Sequence, residues 1–156
     1  MTDLIEKLQS AEGPSRELDA EIFEYLGYHV KRLSTFPITG AFLAYPPAGP
    51  EVCRPADLSV TSTVGAALSL VASELPGWGW RIGSCHLSDD ALLFPDFNCP
   101  EHGARLKAEL GAFDAGDWRD TGIDIDLRPP GRIAIAIMIA LIEVKQRLKS
   151  LGDAAQ

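Results

Sequence analysis

Apolar residues recur at three- and four-residue spacing in some stretches of this chain and at two-residue spacing in others. Leu4, Ile5 and Leu8 lie on one side of a short predicted helix that reaches about Ser10, with Thr2 placed to cap it. Ala11 to Gly13 break that helix, and Pro14 suits the first position of a second one. Leu18, Ile22, Tyr25 and Leu26 continue as one stripe, and Gly27 supplies the C-terminal cap. A third helix opens at Thr61 or Ser62, carries Val64, Ala67, Leu68, Val71 and Leu75, and stops at Pro76-Gly77. The last follows Pro129-Pro130. Its start, Ile133 to Ile137, is β-branched like a strand, but Ile137, Leu141, Val144, Leu148 and Leu151 keep helical spacing. Glu143 and Arg147 add a favourable i, i+4 pair.

Two-residue periodicity marks the strands. Tyr28 to Leu33 and Ala41 to Tyr45 are predicted as strands, followed by the proline-rich loop 46–50. Trp78, Trp80 and Ile82 alternate, and Ala91 to Phe94 follow across a turn expected at Ser88-Asp89-Asp90. The stretch from Ala104 to Leu110 fits either period and is read as a strand. Ile123, Ile125 and Leu127 alternate with Asp124 and Asp126 as a half-buried or edge strand. Helices at both ends with strands between them imply an α+β domain over residues 1–156. Its expected form is a mainly antiparallel sheet packed with helices, α-β-α sandwich-like.

Composition narrows the class. The 156 residues are 46% hydrophobic and 23% charged, as in an ordinary globular domain that needs no metal or disulfide to fold. A net charge of −8 argues against wrapping DNA or RNA and against an anionic membrane surface, and leaves room for a basic partner. Lys31-Arg32 and the interleaved Lys145 to Lys149 read as solvated faces. Asp3 and Glu6 near the start do not suit a signal peptide, and the apolar run from Ile133 to Ile142 is too short to span a bilayer. Three scattered cysteines suit reduced thiols, so the expected location is a cytoplasm.

Three segments together resemble a family of small phage and prophage proteins, the phage alpha-beta-alpha sandwich domain proteins. They are the acidic helix start Gly13-Pro14-Ser15-Arg16-Glu17-Leu18-Asp19-Ala20-Glu21-Ile22, the helix from Thr61 to Leu70 leading to Pro76-Gly77-Trp78-Gly79-Trp80-Arg81-Ile82-Gly83, and the closing helix from Ile133. The chain departs from that pattern at Val64-Gly65, in the long tract 95–126, and in the isoleucines of the closing helix. The resemblance implies a phage origin and a fold, and it transfers no catalytic residue.

Candidate chemistry is sparse. Trp78 and Trp80 share a strand face, as core anchors or, with Arg81, as a ligand-stacking platform. Cys85, His86, Cys99 and His102 have spacing that could hold zinc, against incidental cysteines. Cys99 beside His86 or His102 could serve as a nucleophile, but the acids Asp89, Asp90, Asp96 and Glu101 oppose a thiolate. Asp124 and Asp126 could bind a cation, or with Asp114, Asp117 and Asp120 form an acidic edge that deters strand addition. Arg16, Glu17 and Asp19 read as helix-end electrostatics.

These features lead to an expected phage accessory protein that binds and does not catalyse, with no cofactor and no metal. It would inhibit a host protein or sequester a small nucleotide-like host signal in the host cytoplasm. A small metal-dependent enzyme and a virion or assembly component are the alternatives. The isoleucines on every side of the last helix, Ile135, Met138, Ile139 and Ile142 among them, suggest a homo-oligomer interface.

Overall fold

The structure is a computed structural model that describes residues 3–49, 51–84, 88–111, 120–124 and 132–154. In chain order the elements are α1 (Leu4–Ser10), α2 (Arg16–Tyr25), β1 (His29–Arg32), the single turn α3 (Phe36–Thr39) and β2 (Phe42–Tyr45). A 3-10 turn (Pro55–Leu58) precedes α4 (Val64–Glu74), β3 (Trp78–Ser84), β4 (Ser88–Pro95), α5 (Gly103–Leu110), β5 (Asp120–Asp124) and α6 (Ile133–Ala154). The α+β class expected from periodicity is therefore observed. The strands form two antiparallel sheets, the hairpin β1-β2 and the three-stranded β3-β4-β5.

The apolar start of α6 organises the chain. Every residue from Ala134 to Ile142 is buried, because α6 packs against β3, β4 and β5 as well as α1 and α4. A helix with apolar groups all round needs such neighbours on more than one side. This corrects the expected interface. Ile135, Met138, Ile139 and Ile142 each have 0% exposure in the single chain, so they pack its own core and offer nothing to a second one. The later turns carry Lys145, Arg147 and Lys149 and emerge towards solvent.

A polar clasp holds the start of α6. Asp89 of β4 is buried, and its Oδ2 accepts from the backbone N–H of Arg132 at 3.3 Å. A carboxylate at that place also suits the positive end of the helix dipole. Arg132 is itself fully buried and donates through Nη2 to the carbonyls of Leu8 and Gln9, both at 3.2 Å. Those carbonyls belong to the last turn of α1, where a cation is favourable. One residue thus ties sheet, central helix and first helix together.

Several predicted boundaries shift for identifiable reasons. Thr2 lies outside the described residues, and Asp3 caps α1 by accepting from the Ile5 N–H. Ser15 caps α2 by accepting from the Leu18 N–H at 3.3 Å, so Pro14 precedes the cap instead of opening the helix. Gly27, at φ +90°, does end α2, with the Tyr28 N–H bonded to the Phe23 carbonyl in a Schellman turn. Thr63 precedes α4 without a side-chain cap, and the Thr61 hydroxyl bonds Asp19 instead of capping the helix. Ser88 to Asp90 belong to β4, where Asp89 is needed inside, and not to a turn. The segment read as a strand at 104–110 is helix α5, burying Leu106 and Leu110 four residues apart while Ala104 and Ala108 stay exposed.

Ile137→Ala should cost about 2–5 kcal/mol in urea unfolding, the range for deleting a core side chain. Ile139→Glu should abolish the cooperative unfolding transition instead of giving a folded monomer. A folded Ile139→Glu protein with wild-type circular dichroism would contradict this placement of α6.

Candidate binding site at the hairpin tip

In the sequence Asp19 has the place of a helix-end acid. In the fold it is 1% exposed and anchors a polar network. Its Oδ1 accepts from the Thr61 N–H at 2.8 Å and the Thr61 hydroxyl at 2.7 Å. Its Oδ2 accepts from Arg16 Nη1 at 2.9 Å. Thr61 Oγ1 in turn accepts from the Ser15 N–H at 3.0 Å. The segment before α4 is thereby tied to the first turn of α2. Burial pushes the Asp19 carboxyl above its ordinary value, outweighing the lowering by Thr61 and Arg16.

The same network fixes Arg16 from several sides. Its Nη1 also donates to Ser59 Oγ at 3.0 Å and its Nε to the Gly40 carbonyl at 3.3 Å. The guanidinium carbon sits 4.9 Å over the Phe42 ring. Gly40 is required here twice over. It ends α3 in the left-handed region at φ +68°, and a Cβ there would run into the Arg16 stem.

Arg16 and Glu17 form one wall of a groove of about 540 Å³ whose other wall is segment 36–40 at the β1-β2 tip. Arg32 lies 5.3 Å over the Phe36 ring and bonds Glu17 at 2.8 Å and Glu24 at 2.6 Å, which props the tip against α2. Ile38 projects from this tip with 90% of its surface exposed, beside the exposed Pro37. Sequence reasoning passed over this segment. The only signal was an isoleucine next to a proline in a short stretch between two strands.

The other predicted site residues separate. Trp78 and Trp80 share one face of β3 as expected, with Trp78 packed on the core and Trp80 still 47% exposed. Arg81 lies on the opposite face, where it lines a shallow groove with Gly83, Asp90 and Leu92, because strand side chains alternate. The three therefore do not form one platform. Cys85 and His86 lie outside the described residues, as do Asp114, Asp117 and Asp126. Cys99 is a free thiol in the turn that leads through His102 into α5. Among the described residues no group of three or more His, Cys, Asp or Glu is placed to hold a metal ion.

A smaller cleft of about 160 Å³ lies between α4 and the end of β2, lined by Phe23, Tyr28, Cys53, Asp57 and Ser73 among others. Burial and the charge of Glu74 push the Tyr28 hydroxyl up to about 12, and burial with Asp57 raises the Cys53 thiol. Both groups stay protonated near neutral pH, so Cys53 is a poor nucleophile.

No family model, curated protein or solved structure matches the chain. Among the described residues no helix is long and apolar enough to cross a membrane.

Asp19→Ala should cost about 1–3 kcal/mol, because the buried Thr61 donors lose their acceptor. A raised folded pKa means that the native state holds the Asp19 proton longer than the unfolded chain does. Its effect on stability is then most favourable below the unfolded value and declines as pH rises through the window above 3.8. Urea unfolding across that window should show this falling component in wild type and its loss in Asp19→Asn.

Proposed function

We propose that the chain is a non-enzymatic binding protein, a phage accessory factor that docks on a host protein through the β1-β2 tip. The observation that carries this reading is Ile38, an aliphatic side chain 90% exposed beside a groove whose opposite wall is the braced Arg16. Arginine is among the residues enriched in interface hot spots, and here a braced one stands beside an exposed apolar side chain that a partner could cover. Bracing matters because Arg16 has already lost its rotamer freedom before a partner arrives. A nucleotide-like ligand is less well supported. Its phosphates would have to settle near Arg81, and Asp90 lines that same groove.

A photo-crosslinking side chain at position 38, introduced in bacterial cells producing the protein, tests the reading. One host protein should be captured, and excess wild-type protein should compete for it. Ile38→Asp should change stability by no more than about 0.5 kcal/mol, as for an exposed site, yet lose the partner in a purified binding assay. Equal capture at position 38 and at exposed Glu51, without competition, would sink the proposal.

A further inference from the structure

A different surface from the hairpin tip carries a second kind of interaction. Among the described residues, strand β3 lies at the edge of its sheet and pairs with β4 alone. The register runs without interruption from Trp78↔Pro95 to Ser84↔Asp89. Just outside it, the Asp96 N–H bonds the Gly77 carbonyl at 3.1 Å, and these two residues continue the same register. In an antiparallel ladder hydrogen-bonded and non-bonded pairs alternate. Gly79, Arg81 and Gly83 therefore direct their backbone groups at β4, and Trp80 and Ile82 direct theirs away from it. On that outer side Trp80 and Ile82 have no hydrogen-bond partner among the described residues.

Such an edge is a template for another strand unless it is guarded. Within Trp78–Ser84 there is no proline, no lysine and no interruption of register, and the one charge is Arg81. We infer that β3 pairs with β3 of a second copy of this chain, antiparallel about a two-fold axis at Ile82, to make one six-stranded sheet.

The choice of a second copy rests on complementarity in that register. Ile82 faces Ile82 of the other copy as a hydrogen-bonded pair, with Cα atoms about 5.5 Å apart. Arg81 then faces Gly83 of the other copy, a non-bonded pair with Cα atoms about 4.5 Å apart. Gly83 has open space where a side chain would stand, so the Arg81 stem can lie across it. Beside Gly83, on β4, is its pairing partner Asp90, also exposed. Each Arg81 thus meets the Asp90 of the other copy, twice by symmetry, which offsets locally the repulsion between chains of net charge −8. On the opposite face the two Ile82 side chains meet at the seam, and the half-exposed Trp80 rings flank them. A register centred on Arg81 would instead set two guanidinium groups against each other.

Sedimentation at about 100 μM, well above the Kd of a modest interface, should give twice the 16.8 kDa chain mass. Trp80→Pro should sediment as a folded single chain. Its N–H points to the free edge, where proline is tolerated within the sheet but blocks a further strand. Register is read by mild oxidation of the variants R81C and G83C, with the linked peptides identified by mass spectrometry. A mixture of the two should form the 81–83 disulfide, and neither variant alone should link through its new thiol. A single-chain mass for wild type at that concentration overturns the inference. So does a dimer that survives in Trp80→Pro, or an 81–81 disulfide formed by R81C alone. Should Trp80→Pro fail to fold, the R81C and G83C mixture still decides.

Discussion

The fold depends on surrounding the first three turns of α6 with apolar partners. Each buried aliphatic side chain there is worth about 1.5–3 kcal/mol relative to exposure, and a helix with no polar side cannot rest on a surface. The three-stranded sheet covers one side, and α1 with α4 covers the rest. Arg132 and Asp89 then make the arrangement specific. A buried guanidinium bonded to the end of α1, and a buried carboxylate at the start of α6, fix how far α6 can slide or turn. Apolar contacts alone would tolerate several such positions.

A second polar network plays a different part. Asp19, Thr61, Ser15 and Arg16 join α2 to the segment before α4, and in doing so they immobilise a cation at the surface. The desolvated carboxylate is held by a hydroxyl, an amide and a guanidinium, so its burial is compensated by hydrogen bonds and not by apolar packing. The outer end of this network is one wall of the groove under Ile38. Core architecture and surface chemistry are linked through a single arginine.

The two outward features, the Ile38 tip and the β3 edge, belong to different sheets. The first presents an apolar side chain beside a fixed charge, and the second presents backbone hydrogen-bonding groups. A chain with net charge −8 stays apart from other acidic molecules at long range. Association at either place would depend on short-range, directional contacts, and such contacts select partners more sharply than bulk charge does.

Periodicity by itself determined the α+β class, helices α1, α2, α4 and α6 and most strands, because burial of one face writes a 3.6- or two-residue pattern into the chain. It also determined that the start of α6 must be enclosed on several sides. Tertiary structure alone decided what encloses it. The isoleucines of 133–142 fit a partner chain and a domain core equally well on paper, and only the positions of α1, α4 and β3-β5 choose the core. Local pattern failed at 104–110, where Ala104, Leu106, Ala108 and Leu110 recur at every second residue, and only the burial of Leu106 and Leu110, four apart, shows the helical period. The candidate site was the least legible part. Asp19 and Thr61 are 42 positions apart, Arg16 and Gly40 are 24 apart, and neither pair leaves a trace in local spacing. Pairing across such distances is a property of the folded chain, as is the direction in which the outer edge of β3 faces.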